Sequence, residues 1–397
     1  IVAESALGRM TRKSPVGAFK AFGKKAGWLS FGGWINAIIP VLIVPYYSVI
    51  GGWVIKYLIE YVKGNGTKLA ADGYFSEFIS NGASTEICFV IFCLFTLSII
   101  YAGVRNGIER VSKFMMPILV VLSVIIAIYS VTRPGAMAGV KYFLVPNPKN
   151  FSWMTVVAAM GQMFYSLSIA MGILITFGSY MKKDSSIEDA TRNVEVFDTA
   201  IAIMAGLMII PAVFAFSGGD PDTLQAGPAL MFITIPKVFA NMGFGTVVGI
   251  LFFLLVLFAA VTSSIALTES AVSTFEDEVG WSRRKATVVI GIIMIALGTL
   301  SCLGYGPLAF VKIIGMQFLD LFDFLTNSVM MPIAAMMTSL FVSKVVGVDR
   351  MEEEIRHGES AFRRKKIFVV MIKYLCPIFA MIILASSVAN AFGWISM

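Results

Sequence analysis

Residues 161–172, with the sequence GQMFYSLSIAMG, have the composition of an ion or substrate site inside an apolar segment. The glycines at both ends and the two serines lower helix propensity, so the pattern predicts a break in the helix. At membrane depth, unpaired backbone is tolerated only beside a cavity, where free carbonyls can bind a cation and a helix N-terminus attracts a carboxylate. Close packing of small residues between unbroken helices is the alternative interpretation.

A second segment, residues 259–267 (AAVTSSIAL), carries hydroxyl groups within an apolar stretch. On a helix, Ala259 and Ser263 share one face, and Ser264 and Leu267 share the neighbouring face. One face could hold an ion while the other contacts a substrate, and hydroxyl and carbonyl oxygens are hard ligands that suit Na⁺. The alternative is that the hydroxyls bond to carbonyls of their own helix.

Carboxylates inside apolar segments form the third group of candidates. Each costs about 2.5–3.5 kcal/mol on insertion scales and therefore needs polar surroundings. Such acids either cross-link helices or converge on one cavity, and the pattern alone leaves both possibilities open. The residues concerned are Glu4, Asp198, Glu269, Asp320 and Asp323.

The elements that must position these residues are membrane-spanning helices. Of the 397 residues, 58% are hydrophobic and only 14% are charged, whereas about 25% are charged in soluble domains. Nine segments are long enough to cross a hydrocarbon layer of about 30 Å. These predicted spans are residues 31–62, 85–104, 111–132, 151–181, 195–217, 243–276, 285–303, 308–342 and 366–395.

The distribution of Lys and Arg predicts the orientation of the spans. Of the 31 basic residues, 22 fall in alternate connections, which the positive-inside rule places in the cytoplasm. The net charge of +7 therefore needs no nucleic-acid partner. The four cysteines lack CxxC spacing and His357 is the single histidine, so no zinc or haem pattern is present. The basic connections are residues 9–25, 105–113, 182–192, 283–285 and 344–366.

Seven short motifs occur in one order along the chain. They are Glu4–Arg9, Tyr46-Tyr47 with Trp53, Gly107–Arg110 with Lys113 and Pro117, Gly161–Ser168, Thr262–Ala266, Phe275–Glu278 and Asp320–Phe324. Together they resemble the neurotransmitter:sodium symporter family, and within it the bacterial sodium-dependent amino-acid transporters of LeuT fold. The resemblance runs from Glu4 to the end of the chain. It implies an all-α, polytopic membrane protein, a LeuT-type inverted-repeat helix bundle with a broken helix near residues 161–172, in one transporter domain over residues 1–397.

The resemblance implies a binding site for an amino acid. Tyr47 resembles the family's tyrosine whose hydroxyl meets the substrate carboxylate, and Tyr165 resembles the aromatic residue that closes over the substrate. The apolar walls and the lack of a fixed charge favour neutral, hydrophobic amino acids. The other substrate positions that the resemblance implies are Ile43, Ser166, Ser168, Met171, Ser264 and Leu267.

The resemblance also implies two sites for co-transported Na⁺. Ser166 and Asp198 stand where the family has a hydroxyl and an amide at one site, and Ala259, Thr262 and Ser263 stand at the carbonyl and two hydroxyls of the other. The family has an amide side chain at this position, whereas this chain has the carboxylate of Asp198. Because a fixed carboxylate offsets cation charge at low dielectric, we expect it to replace the chloride ion of chloride-dependent members and to make transport chloride-independent.

Two gates are implied in the same way. Asp323 resembles the outer-gate acid, and Asp277 resembles the inner-gate acid with Tyr180 beside it. In the family each acid pairs with an arginine, and both arginines would lie upstream of Ile1, as would the first helix and most of the second. We therefore expect an N-terminally truncated chain that does not transport unless an upstream segment is restored.

The sequence thus predicts sodium-coupled uptake of neutral, hydrophobic amino acids by alternating access. We expect a multi-pass protein of the plasma membrane, specifically a bacterial inner membrane, that contacts the lipid bilayer and can form a homodimer. An ion channel, a non-transporting membrane binding protein and an inactive fragment are the alternatives. No nucleophile-base pair supports an enzyme, and no ring-forming filter repeat supports a channel.

Overall fold

The computed structural model describes residues 1–220, 223–225, 227–359 and 361–394. Within these residues, helices are the regular structure, apart from an isolated antiparallel bridge between Ile313 and Met316. In chain order, helices α1 to α19 are Val2–Thr11, Pro15–Lys20, Phe31–Val62, Gly66–Leu69, Tyr74–Ser80, Gly82–Tyr101, Arg110–Val131, Ala136–Leu144, Trp153–Ser166, Ile173–Tyr180, Ile187–Ser217, Ile235–Ala240, Gly245–Val279, Arg283–Leu303, Phe318–Asp323, Met331–Phe341, Val348–Arg356, Lys365–Val370 and Cys376–Ala391.

Several of these helices are continued by tighter or wider turns. Short 3₁₀ segments cover Gly23–Lys25, Gly27–Ser30 and Pro148–Asn150. Single π-helical stretches cover Val104–Glu109, Leu230–Thr234, Phe324–Met330, Val342–Val346 and Met371–Leu375. Each π stretch directly precedes or follows an α-helix, so these elements combine into longer rods.

Eight of the combined helices in the described part of the chain are long and apolar enough to cross a membrane. They are Gly27–Val62, Gly82–Tyr101, Val104–Val131, Ile187–Ser217, Gly245–Val279, Arg283–Leu303, Phe318–Val346 and Lys365–Ala391. The expected all-α, polytopic membrane fold is therefore confirmed. The predicted span 151–181 is not among the eight because it is divided into α9 and α10.

The largest shift in bounds among the predicted spans occurs at the segment 308–342. Residues 304–317 of the segment 308–342 form turns and the isolated bridge, and the helix begins at Phe318. Gly304, Gly306, Pro307 and Gly315 disfavour a helix in this stretch. The last predicted span, 366–395, ends one residue beyond the described range, which stops at residue 394.

The two longest helices, α3 and α13, pack against each other at the centre of the bundle. α3 tolerates Pro40 and Pro45 within its 32 residues, and the span Gly27–Val62 that contains it has the largest share of buried residues in its most apolar part among the eight spans. A Cβ atom at Gly52 would lie 2.7 Å from the backbone nitrogen of Phe89, so glycine permits close contact between α3 and α6. The half-helix α10 packs against α13, and α11 packs against α7 and α8.

Candidate transport site

The broken helix supplies the centre of the candidate site. α9 begins with a capping box between Ser152 and Thr155 and ends at Ser166, and α10 resumes at Ile173. Between them, Ser168, Ala170 and Gly172 have φ angles of 53°, 60° and 71°, which lie in the left-handed region and cannot continue a right-handed helix. The predicted break within residues 161–172 is confirmed, and the non-helical stretch is limited to residues 167–172.

Neighbouring helices hold the break in place. The Ala170 N–H donates to Oε1 of Glu4 at 2.9 Å, and only 3% of Glu4 is exposed. At Gly172, a Cβ atom would lie 2.7 Å from Cγ of Pro15 and 2.8 Å from the Asn36 carbonyl oxygen. Because φ at Gly172 is also positive, only glycine fits there without strain.

The break leaves polar backbone groups between the two half-helices. Residues 167–169 donate to carbonyls of residues 163–165 and so close the end of α9. At the start of α10, the N–H groups of the first turn have no partner within the helix. They carry partial positive charge, which attracts a carboxylate.

A cavity of about 400 Å³ lies beside this break. The volume falls within the range of about 300–1,000 Å³ that is typical of ligand pockets. The cavity brings together most residues that the sequence assigned to substrate or sodium, namely Ile43, Tyr47, Tyr165, Ser166, Ser168, Met171, Thr262, Ser263 and Leu267. Four further lining residues were not assigned from the sequence: Met116, Gln162, Ile173 and Ala266.

Ser264 is the predicted substrate residue that does not line this cavity. Its side chain is fully buried and its Oγ accepts a hydrogen bond from Thr96 Oγ1 at 3.2 Å. Thr96 lies on α6, so Ser264 faces the contact between α13 and α6. The i, i+3 spacing from Leu267 suggested a shared face, but the structure places only Leu267 at the cavity.

The side chains assigned to the first sodium site are in direct contact. Ser166 Oγ, in the last residue of α9, donates to Asp198 Oδ1 in α11 at 2.6 Å. The contact joins two separate helices at the edge of the break. A hydroxyl and a carboxylate at this separation provide two oxygen ligands of the kind that Na⁺ prefers.

The residues assigned to the second sodium site lie on α13. Thr262 Oγ1 is 3.0 Å from the Ala259 carbonyl oxygen and 3.1 Å from that of Phe258. Ser263 lies against the hydroxyl of Tyr47, which links this segment to the substrate cavity. The Thr262 hydroxyl thus bonds back to its own helix, as the alternative interpretation states, while Thr262 also lines the cavity.

The predicted outer-gate acid lies at one end of the cavity system. Asp323 accepts hydrogen bonds from the Tyr46 hydroxyl at 3.1 Å and from the Asn327 amide. With Tyr165, Asp323 also lines a neighbouring cavity of about 390 Å³. Tyr165 lines both cavities, so it stands between them.

The region of the predicted inner gate contains a charged network that the sequence did not indicate. The Tyr180 hydroxyl donates to Glu269 Oε1 at 2.7 Å, and Arg283 forms an ion pair with the same fully buried carboxylate. Asp277, the predicted inner-gate acid, accepts from the Ser14 backbone N–H. The structure thus gives Tyr180 a different acid, located eight residues before Asp277 on α13.

Arg283 and the role of Glu4 were missed because their partners are distant in sequence. Arg283 pairs with an acid 14 residues earlier, and Glu4 pairs with a residue 166 positions later. Glu4 and Glu269 both stand in apolar segments, where an unpaired carboxylate is costly. That cost was the one indication in the sequence that each has a buried partner. Gln162 could have been found from its position one helical turn before Ser166.

The chain matches a known family of membrane transporters over most of its length. The model of the sodium:neurotransmitter symporter family matches residues 74–393. The uncharacterized sodium-dependent transporter YhdH of Bacillus subtilis (strain 168) is 33% identical over 364 residues, which cover 91% of this chain and 80% of that protein. The chain belongs to the sodium:neurotransmitter symporter family.

Two further matches support the membership in this symporter family. An uncharacterized sodium-dependent transporter of Haemophilus influenzae (strain ATCC 51907 / DSM 11121 / KW20 / Rd) is 30% identical, and the match covers 98% of this chain and 86% of that protein. The crystal structure of MhsT in complex with L-phenylalanine superposes on this chain with a TM-score of 0.85, and the two sequences are 34% identical. The superposition covers 97% of this chain and 87% of the MhsT chain.

Membership of the family establishes the general activity and the fold. The protein is a multi-pass membrane transporter of LeuT fold that couples transport to sodium, and it is not an enzyme. Na⁺ is its co-transported ion. The expected resemblance to this family is therefore confirmed.

Proposed function

We propose that this symporter couples inward movement of Na⁺ to uptake of neutral, hydrophobic amino acids by alternating access, independently of chloride. The observation that carries the proposal is the cavity beside the helix break, whose wall combines apolar side chains with the hydroxyl groups of Ser166, Thr262 and Ser263. Substrate and sodium ligands thus line a common space. Binding of either would stabilise the same closed state, which is the reciprocal linkage that symport requires.

The substrate class follows from the cavity wall. Ile43, Met171 and Leu267 provide apolar surface, and none of the described lining residues carries a charge. A charged substrate side chain would therefore lose its hydration without gaining a partner. The Tyr47 hydroxyl and the N-terminus of α10 provide donors for the substrate carboxylate. The structural relative MhsT was crystallised with L-phenylalanine, a neutral and hydrophobic amino acid.

Chloride independence rests on Asp198. Its carboxylate accepts from Ser166 at 2.6 Å and supplies a fixed negative charge at the proposed first sodium site. At low dielectric a nearby anion strongly stabilises a bound cation. A fixed carboxylate makes a separately bound anion unnecessary.

Sodium entry can drive accumulation of the amino acid against its own concentration gradient. A potential of about 100 mV contributes roughly 2.3 kcal/mol for each charge that moves inward. Two Na⁺ ions, at the Ser166–Asp198 site and at the Ala259–Thr262–Ser263 site, would double this contribution. The outer gate is proposed at Asp323 and the inner gate at Asp277 and Tyr180, in a protein located in a bacterial inner membrane.

Radiolabelled phenylalanine uptake into proteoliposomes of the full-length protein tests this proposal. Uptake is expected with an inward Na⁺ gradient, to be lost when K⁺ replaces Na⁺, and to be unchanged when gluconate replaces chloride. Uptake of labelled lysine or glutamate should be at least about tenfold lower, because an unpaired charge in the cavity is costly. Equal uptake of charged and apolar amino acids would contradict the substrate assignment.

The Asp198→Asn variant tests the role of the carboxylate separately. Its amide keeps the shape but removes the negative charge, so we expect a loss of uptake of about tenfold or more and a new stimulation by chloride. Glu195→Gln is the matched control, since Glu195 lies one turn earlier on α11 and pairs with Arg364 at 2.9 Å. An Asp198→Asn variant with normal, chloride-insensitive uptake would disprove the chloride proposal.

A further inference from the structure

A separate cavity of about 580 Å³ opens on the side of the protein that the positive-inside rule assigns to the cytoplasm. It lies between the short segment after α2 and the amphipathic helix α17. We call it the basic pocket. Its lining residues are Met10, Thr11, Ala21, Phe22, Lys25, Arg350, Glu353, Glu354 and His357.

The two cations of the basic pocket, Lys25 and Arg350, are not held in ion pairs within the described part of the chain. The Glu354 carboxylate is already bound to the buried Arg9, with Nε 2.6 Å from Oε1. Among the described residues, neither Lys25 nor Arg350 has a carboxylate oxygen within 4.0 Å. Glu353 is the remaining acid of the lining, so two free cations outnumber it.

Two contacts orient the groups around the pocket. The Arg350 guanidinium carbon lies 5.9 Å from the centre of the Phe22 ring, and this cation–π contact keeps the side chain over the segment that carries Lys25. His357 Nδ1 lies 2.7 Å from the Glu353 carbonyl oxygen, so this ring nitrogen donates to the backbone. Lys25 and Arg350 are therefore brought to one cavity from two distant parts of the chain.

The pocket lies at the level of the lipid headgroups. Lys25 precedes by two residues the spanning helix Gly27–Val62, and Arg350 follows by four residues the spanning helix Phe318–Val346. At no more than about 3.6 Å per residue, Lys25 lies within about 7 Å of the end of its span and Arg350 within about 14 Å of the end of the other. Phospholipid phosphates occupy this interfacial layer.

Exposed aromatic residues follow Lys25 directly. Trp28 is 71% exposed, Phe31 59% and Trp34 40%. Large aromatic side chains at the start of a span are typical of the membrane interface, where their rings lie between headgroups and acyl chains. Water-exposed rings of this size would be unfavourable, so the three rings face lipid.

We propose that the basic pocket binds the phosphate of an anionic phospholipid from the cytoplasmic leaflet. Lys25 and Arg350 hold the headgroup, and the acyl chains lie along Trp28, Phe31 and Trp34. A soluble phosphate compound would satisfy the cations but not the adjacent aromatic surface, which favours the lipid. The site is distinct from the transport cavity, since the two share no lining residue.

Native mass spectrometry of the full-length protein in detergent tests the proposal. The protein is titrated with phosphatidylglycerol and, separately, with phosphatidylcholine. We expect tighter binding of phosphatidylglycerol to the wild type and about thirtyfold weaker binding to the Lys25→Gln, Arg350→Gln double variant. Each cation near an anionic lipid contributes roughly a fivefold gain in binding, which gives this value.

Two control variants separate charge from folding. Lys63→Gln, Lys68→Gln removes two exposed lysines from the opposite side of the membrane and should leave binding unchanged. Lys25→Arg, Arg350→Lys keeps both charges and should restore binding. Equal phosphatidylglycerol binding in the Gln double variant and the wild type would overturn the proposal, as would loss of binding in the charge-conserving variant.

Glycerol phosphate, a soluble phosphate without acyl chains, distinguishes the two possible sources of the ligand. At matched concentration it should not displace phosphatidylglycerol. Complete displacement would show that the pocket takes a soluble anion and would refute the lipid assignment. None of these outcomes depends on transport, so they are independent of the proposed amino-acid uptake.

Discussion

The broken helix α9/α10 and the unbroken helix α13 both border the candidate site, but they present their polar groups in different ways. In the broken helix, the main chain itself is displaced, and its conformation is fixed by Glu4, Pro15 and Asn36 from other elements. In α13 the main chain stays regular, and the hydroxyl of Thr262 bonds to carbonyls one turn earlier.

The conformation of the break depends on tertiary contacts, whereas that of the polar segment of α13 depends on its own helix. The geometry of the break depends on contacts between helices, so movement of those helices must change it. The groups on α13 keep their arrangement as long as their own helix persists. We therefore expect the break to couple ion binding to conformational change, and α13 to provide a more constant ion site.

The largest effect is expected at Gly172. In Gly172→Val, the side chain would meet Pro15 and the Asn36 carbonyl at less than 3 Å in a left-handed backbone conformation. Uptake and the yield of folded protein should fall roughly 100-fold. Gly161→Ala is the matched control, because Gly161 is helical and nothing lies within 4 Å of the position that a Cβ atom would take there. Size-exclusion chromatography and uptake assays check both, and a well-folded, active Gly172→Val protein would contradict the proposed packing.

Glu4 should have the next largest effect. In Glu4→Ala the buried N–H of Ala170 loses its acceptor, at a cost of about 1–3 kcal/mol. We expect uptake to fall by about tenfold or more, while Glu4→Gln, which keeps an acceptor oxygen, should retain most of it. Sodium-dependent uptake of the two variants provides the comparison. Equal activity would mean that the break does not need this hydrogen bond.

Thr262→Val tests the unbroken helix. The substitution removes the hydroxyl but keeps the shape, so folding should be preserved while the Na⁺ concentration for half-maximal uptake rises by about tenfold. Thr268→Val is the matched control, since Thr268 Oγ1 also bonds to its own helix, at 2.7 Å from the Ser264 carbonyl oxygen, away from the cavity. The same change in sodium dependence in both variants would argue against a cation site at Thr262.

The smallest effect is expected at Tyr180, where the two helices are joined. Tyr180→Phe removes the hydrogen bond to Glu269, but Arg283 still pairs with that carboxylate. We expect a change of about fivefold in the maximal uptake rate, with little change in sodium dependence. Tyr101→Phe serves as the control at an exposed ring that contacts Arg284. An unchanged uptake rate in Tyr180→Phe would show that the hydrogen bond between Tyr180 and Glu269 does not influence the proposed inner gate.

Much of the fold could be predicted from the sequence because membrane spans depend on local composition. The break near residues 161–172 was also predictable, since glycine and serine spacing disfavours a helix locally. The grouping of Tyr47, Ser166 and Thr262 at one cavity followed from the family resemblance, although these residues lie on three separate helices.

The long-range contacts could not be predicted in the same way. Nothing near Glu4 in the sequence indicates Ala170, and nothing near Ser264 indicates Thr96. Helical spacing places residues on a face but does not say which neighbour that face meets. The family resemblance assigned Ser264 to the substrate cavity, whereas its side chain contacts α6.

Simultaneous measurement of ²²Na⁺ and labelled phenylalanine entry into proteoliposomes of the full-length protein tests the central claim most directly. If the cavity beside the break binds both, Na⁺ entry will require phenylalanine, and the two fluxes will keep a constant ratio as either concentration is varied. Sodium entry that is unaffected by the amino acid would contradict coupled transport at this site.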